Sequence, residues 1–177
     1  MPTLCTARPS ARYSNRSVVA HAASQEVSES KSSMPAEFGS LFLRLTTCSM
    51  FVHHGLEKLA DPEGFATFVV AKYLSFLPAP LFWTYAAAYV QILCPVVLLL
   101  GLPKGLSRLS ALALTGTMFF AMIFHFNASG LEGFPLGIVE NHNYEFEAAG
   151  LLGAASVYFT LAGPGKLSVA GLLAKKD

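Results

Sequence analysis

Residues 81–102 read LFWTYAAAYVQILCPVVLLLGL and residues 106–126 read LSRLSALALTGTMFFAMIFHF, with Pro103-Lys104-Gly105 between them. The first stretch holds no Asp, Glu, Lys or Arg, and the second holds only Arg108. A helix rising about 1.5 Å per residue needs about 20 apolar residues to cross the hydrocarbon of a bilayer. Each stretch meets that length, and the Gly-Leu-Pro-Lys-Gly run between them is a tight helix-breaking turn. The pair therefore reads as a transmembrane hairpin.

Two further windows extend the pattern outward. Gly39–Leu59 precedes the hairpin and Glu145–Ala162 follows it. Asp61-Pro62-Glu63-Gly64 ends the first, and Gly163-Pro164-Gly165 stops the last. Between the first window and the hairpin, Phe65–Phe76 is aromatic-rich and too short to span, which predicts an interfacial or re-entrant helix. The expected fold is all-α: a four-transmembrane-helix bundle with a short interfacial helix after helix one, its domain covering residues 38–177. Composition agrees, with 53% hydrophobic and 13% charged residues where a soluble domain carries about 25% charged. The net charge of +1 and the lack of a basic patch exclude a nucleic-acid partner. Lipid is the expected solvent.

The N-terminus has another character. Its first acidic residue is Glu26, and before it Arg8, Arg12 and Arg16 stand among Ser and Thr with no apolar core. This is transit-peptide composition. Val18-Val19-Ala20-His21-Ala22-Ala23 resembles a plastid cleavage site, so residues 1–23 are expected to be a plastid transit peptide and residues 24–37 a disordered linker. The expected location is a chloroplast membrane, thylakoid or envelope; the spaced arginines also suit a leader for the mitochondrial inner membrane. Lys31, Arg44, Lys104, Arg108, Lys166, Lys175 and Lys176 would share one side of a four-span topology, and Lys58 and Lys72 the other, with Asp61, Glu132 and Glu140. The basic excess puts both termini on the stromal or matrix side.

Ionisable side chains inside such helices face the bundle interior and mark function. Arg44, Thr47, Phe51, His54 and Lys58 recur at three- and four-residue intervals and so share a face of helix one. His53 lies off that face, paired by spacing with Glu57. Helix two carries Gln91, with Pro95 four residues on, so the Gln91 carbonyl loses its helical donor. Helix three presents Ser110, Thr117, Ala121 and His125 on one side. In helix four Glu145 and Glu147 point apart, and Glu147 is expected to face inward, in line with Ala154 and Tyr158. His54, Lys58, His125 and Glu147 are expected at similar depth on the non-stromal side, Gln91 somewhat deeper, with His142 folding over them. Such groups suit quinone carbonyls or proton transfer. Two His and a carboxylate also suit a metal, but no HExxH is present and no metal site is assigned. Ala149 with Gly153, and Gly150 with Ala154, form a small-residue packing seam. Cys48 and Cys94 read as small packing residues.

Several motifs together resemble the DoxX family of small four-helix membrane proteins. They are Leu43-Arg44-Leu45, His54-Gly55-Leu56-Glu57-Lys58-Leu59 running into Asp61-Pro62-Glu63-Gly64-Phe65, and Leu98-Leu99-Leu100-Gly101-Leu102 closing helix two. His125 and Gly163-Pro164-Gly165-Lys166-Leu167-Ser168 complete the set, over about Phe38–Leu173. The family usually has a Glu midway through helix two, where Gln91 stands here, and a glycine where Cys94-Pro95 stands. The resemblance implies a membrane protein tied to redox enzymes; some relatives are small subunits of a thiosulfate:quinone oxidoreductase. The expected role is a membrane subunit or quinone-site partner of a redox system, with Arg44, His54, Lys58, Gln91, His125 and Glu147 as its polar interior. Other membrane redox subunits or a homo-oligomer are the expected partners. A structural or assembly subunit of a larger complex is the rival, and a small-solute or proton pathway a third.

Overall fold

A computed structural model of the protein describes residues 34–130, 132–140 and 144–173. The leader, the linker up to residue 33, His142, Lys175 and Lys176 lie outside the described residues. Regular structure among the described residues is helical throughout. Helix α1 is Met34–Ala60. A connecting segment, α2, runs as Pro62–Phe65, a π-helical turn Ala66–Val70, and Ala71–Tyr73. Then follow α3 (Pro80–Leu100), α4 (Lys104–Ser129), α5 (Glu147–Ala162) and the short α6 (Val169–Leu173).

The expected boundaries hold where breakers mark them. Asp61 caps α2 by accepting from the Gly64 amide at 2.9 Å, as a helix-capping carboxylate does. Gly101 ends α3 in the left-handed conformation at φ 58°, and the Leu102 amide donates back to the Val97 carbonyl at 3.4 Å. A side chain at Gly101 would also collide with Ser168. Two ends differ from expectation. Residues 34–37 are helical rather than linker, with Pro35 in the first turn, where a missing amide hydrogen costs nothing. The last helix starts at Glu147, so Glu145 lies in the turn before it.

The core joins all four long helices: Cys48 and Phe51 from α1, Leu98 from α3, Leu114 and Met118 from α4, Leu152 and Phe159 from α5. The small-residue seam packs α5 on α4. Cβ positions built at Gly150 and Gly153 lie 3.9 Å from Met122 Sδ and 3.4 Å from Met118 Cβ. The α2 segment buries Ala66, Val70 and Leu74. Its end is pinned to α4 by Asn127, which donates to the Tyr73 carbonyl at 3.0 Å, and by the edge-to-face pair Tyr73–Phe124.

The outer faces are apolar. Leu93, Leu109, Phe119, Leu151 and Leu161 are exposed. Only 28% of the most apolar stretch of α3, and 22% of that of α4, is buried. The core helix of a soluble protein buries most of such a stretch, and soluble monomers rarely expose contiguous apolar surface on this scale. By length and composition, Pro80–Leu100 and Gly105–Ser129 can cross a membrane. Helix α1 is long enough but carries Glu37, Arg44, Glu57 and Lys58. Helix α5 is apolar, and its 16 residues rise about 24 Å, short of a full hydrocarbon core.

At the end of the bundle where α1 starts, the chain is tied by polar contacts. Arg44 is 1% exposed, and its guanidinium donates to the carbonyls of Pro164 and Leu167. One turn and more before it, Glu37 accepts from the Lys166 amide at 2.7 Å. Arg108 donates to the Leu161 carbonyl at 3.0 Å. The loop after α5 is therefore held by side chains of α1 and α4. Arg44→Met should destabilise the protein by about 3 kcal/mol or more, the loss of two hydrogen bonds to a charged group. Arg44→Lys should recover little, because an ammonium lacks the planar fork that serves two carbonyls at once. Denaturant unfolding in detergent checks both; full recovery by lysine would contradict the two-carbonyl account.

Candidate functional site

The inward stripe of α1 forms as its spacing predicts: Arg44, Thr47 and Phe51 are buried, and His54 and Lys58 half-buried. It is nonetheless not one site. Arg44 is ten residues from His54, about 15 Å along the helix, and is engaged by the loop after α5. It leaves the proposed polar cluster.

Beyond Arg44 the stripe meets α3. A Cβ at Gly55 would lie 2.9 Å from the Ala88 carbonyl oxygen, 2.7 Å from Ile92 Cγ1 and 3.3 Å from Gln91 Cβ. Glycine here lets the two backbones touch and brings Gln91 level with His54. Gln91 is 2% exposed, and its amide nitrogen donates to the Thr117 hydroxyl of α4 across a long 3.5 Å. Gln91, Thr117 and the Gly55 turn thus form one polar spot between α1, α3 and α4.

The other groups lie further out. Lys58 is a turn beyond His54; its ammonium donates to the His54 carbonyl at 3.1 Å and sits 4.9 Å from the centre of the Phe65 ring. His54 Nδ1 is 3.3 Å from Glu57 Oε2, so Glu57 pairs with His54 and not with the exposed His53. Both spacings bring a ring within reach of the carboxylate. His125 is eight residues past Thr117, about 12 Å nearer the end of the bundle. The similar depth expected for His54 and His125 is corrected accordingly.

Glu147 is also corrected. It is exposed, while Glu145 Oε2 lies 3.9 Å from His125 Nδ1. The expected choice assumed that both glutamates sit on one helix. Glu145 precedes α5 and is free of that geometry. Glu37, which the sequence reading placed in the linker, and Thr117, read only as part of a face, complete the residues it missed. Glu37 lies seven residues before Arg44, the spacing of one helix face, and that was its available signal.

Three buried side-chain atoms lack a hydrogen-bond partner among the described residues: Arg44 Nε, Gln91 Oε1 and His125 Nδ1. All three belong to the groups singled out from the sequence, and Arg44 is engaged by the loop after α5. Buried polar atoms are nearly always paired, so Gln91 Oε1 stands out, while His125 Nδ1 has the Glu145 carboxylate at 3.9 Å. No grouping of three or more His, Cys, Asp or Glu side chains suited to a metal occurs among the described residues.

The Gly55 contact gives a direct test of the geometry. Gly55→Ala should cost about 1–3 kcal/mol, the usual penalty of overpacking, since its methyl meets the fixed Ala88 carbonyl oxygen as well as Ile92 Cγ1. Gly39→Ala, with nothing within 4 Å of its Cβ position, should raise stability by up to about 1 kcal/mol, since alanine favours the helix. Thermal unfolding of both in detergent compares them; equal stability would mean that α1 and α3 do not touch at Gly55.

No curated protein and no solved structure matches the chain. The DoxX family model matches residues 39–127, from α1 through α3 into the last turn of α4 and so through the Gly55–Gln91–Thr117 contact. That is just over half of the 177 residues, and this membrane protein belongs to the DoxX family.

Proposed function

We propose that the protein is a four-span membrane subunit of a redox system and receives a quinone head group at the Gln91–Thr117 spot. The observation that carries this reading is the buried Gln91 Oε1, which has no hydrogen-bond partner among the described residues, in a chain whose outer faces are apolar. A quinone brings an apolar ring and tail with oxygens at opposite ends of the ring, and a buried polar group without a partner costs about 1–3 kcal/mol. His54 is level with Gln91, and Lys58 and His125 lie at increasing distance outward, toward the end of the bundle. In this reading they line the way from the head group to the interface, where neutral histidine can exchange protons with water. The basic, acid-poor leader supports a plastid membrane, with both termini on the stromal side.

The rival reading is an assembly subunit with no ligand. It is favoured by the local pairing of Lys58 with the His54 carbonyl and of His54 with Glu57, both within a single helix. Quinone content separates the two. The protein purified in mild detergent should yield stoichiometric quinone on extraction. His54→Ala with His125→Ala should lose it while keeping its unfolding temperature. No quinone in either preparation, with the double variant equally stable, would reject the quinone site and favour the assembly role.

A further inference from the structure

Gln91 is fixed in a direction that matters for what it can bind. Its neighbour Thr117 donates its only hydroxyl hydrogen to the Leu114 carbonyl at 2.8 Å. Thr117 therefore offers Gln91 lone pairs alone, and the Gln91 amide must turn its NH2 toward them, as it does at 3.5 Å. Flipping the amide would set carbonyl oxygen against hydroxyl lone pairs. The Gln91 Oε1 is thereby directed away from Thr117, and it has no donor.

A second acceptor sits on the same residue. Pro95 is buried in α3 and brings no N–H, so the Gln91 main-chain carbonyl lacks its i+4 donor. Gly55 presents only backbone already in helix, and Ala88 approaches with its carbonyl oxygen. His54 directs Nδ1 to Glu57. Gln91 thus carries a side-chain oxygen with no hydrogen-bond partner among the described residues and a main-chain carbonyl without its i+4 donor.

We infer that the Gln91 spot is a hydroxyl-recognising site that selects the reduced, dihydroxy form of a quinone over the oxidised, dicarbonyl form. This rests on the quinone reading above and specifies the redox state taken. A hydroquinone O–H donates to Oε1. The same position in a quinone is a carbonyl oxygen, which places lone pair against lone pair and leaves Oε1 unpaired. Sites built around hydrogen-bonding groups discriminate strongly against analogues that cannot complete the bond. Thr117 is a positioning residue, acting through the amide it orients.

The test is equilibrium binding of a decyl-substituted 1,4-benzoquinone and of its hydroquinone, under anaerobic conditions, to the full chain in detergent after exchange of bound lipid. The native protein should bind the hydroquinone about tenfold more tightly, the scale of one well-made hydrogen bond in a dry site. Gln91→Met should bring the ratio near one by weakening the hydroquinone alone. Thr117→Val keeps the volume and frees the amide to turn its NH2 toward the ligand, so the ratio should fall there too, with tighter binding of the quinone. This second variant retains Gln91 and decides the matter should Gln91→Met fail to fold. Equal affinity for the two forms in the native protein would mean that a buried water satisfies Oε1, and would overturn the inference while leaving the quinone site standing. A native preference unchanged in Thr117→Val would overturn the orienting role and with it the inference. Binding of neither form would overturn the quinone reading itself.

Discussion

The structure depends on a single buried cation. Arg44 carries a full charge inside a bundle whose outer surface is apolar, and the bare cost of placing a guanidinium there is several kcal/mol. Two main-chain carbonyls, those of Pro164 and Leu167, offset it by accepting from the guanidinium. Those oxygens are available because Gly163-Pro164-Gly165 stops the helix and leaves peptide groups without helical partners. Each side thus supplies what the other lacks: the loop has acceptors without donors, and Arg44 has donors that must not face lipid. Glu37 makes the complementary contact, accepting the Lys166 amide, so one face of α1 satisfies both polarities of the same loop.

From this tie the rest of the bundle's order follows. The loop so held positions Ser168 against Gly101, and Arg108 binds the Leu161 carbonyl at the end of α5. The first turn of α1, the α3–α4 turn and the end of α5 are thereby locked together at one end. The opposite end is built differently. Lys58, His54 and Glu57 interact within α1, and Asn127 joins α4 only to the α2 segment. His125 of α4 also faces Glu145 of the turn before α5 there, Nδ1 to Oε2 at 3.9 Å, and Gln91 Oε1, without a hydrogen-bond partner among the described residues, lies deeper inside.

The sequence made much of this legible, and the division between what it showed and what it hid is physical. Apolar runs and Gly/Pro breakers locate helices to within a few residues, because length and punctuation are local properties. The Arg44–Lys58 stripe was legible for the same reason: periodicity determines a face. It does not determine a partner. The acceptors for Arg44 are peptide oxygens more than a hundred residues away in sequence, and main-chain carbonyls carry no residue letter. Glu145 and Glu147 were separated by a helical-wheel argument that fails once Glu145 leaves the helix. His125 was judged by its position in a run of letters, but depth depends on where helices cross, and Gly55 against Ala88 sets that level here.

The amide at Gln91 gives the interior its character. The DoxX resemblance implies a carboxylate at this point of helix two, and a carboxylate in such surroundings would hold or release a proton according to its neighbours. An amide does neither. It keeps a donor and an acceptor at every pH and cannot become a buried charge. Thr117 holds the Gln91 amide nitrogen and leaves Oε1 without a hydrogen-bond partner, and Pro95 removes the i+4 donor to the Gln91 carbonyl. The substitution thus exchanges a group that can change state for one whose polarity is fixed and directed. The ionisable side chains of this half of the bundle include His54, Lys58 and His125. These lie level with Gln91 or further out toward the interface, where water is nearer and the cost of charging a side chain is lower.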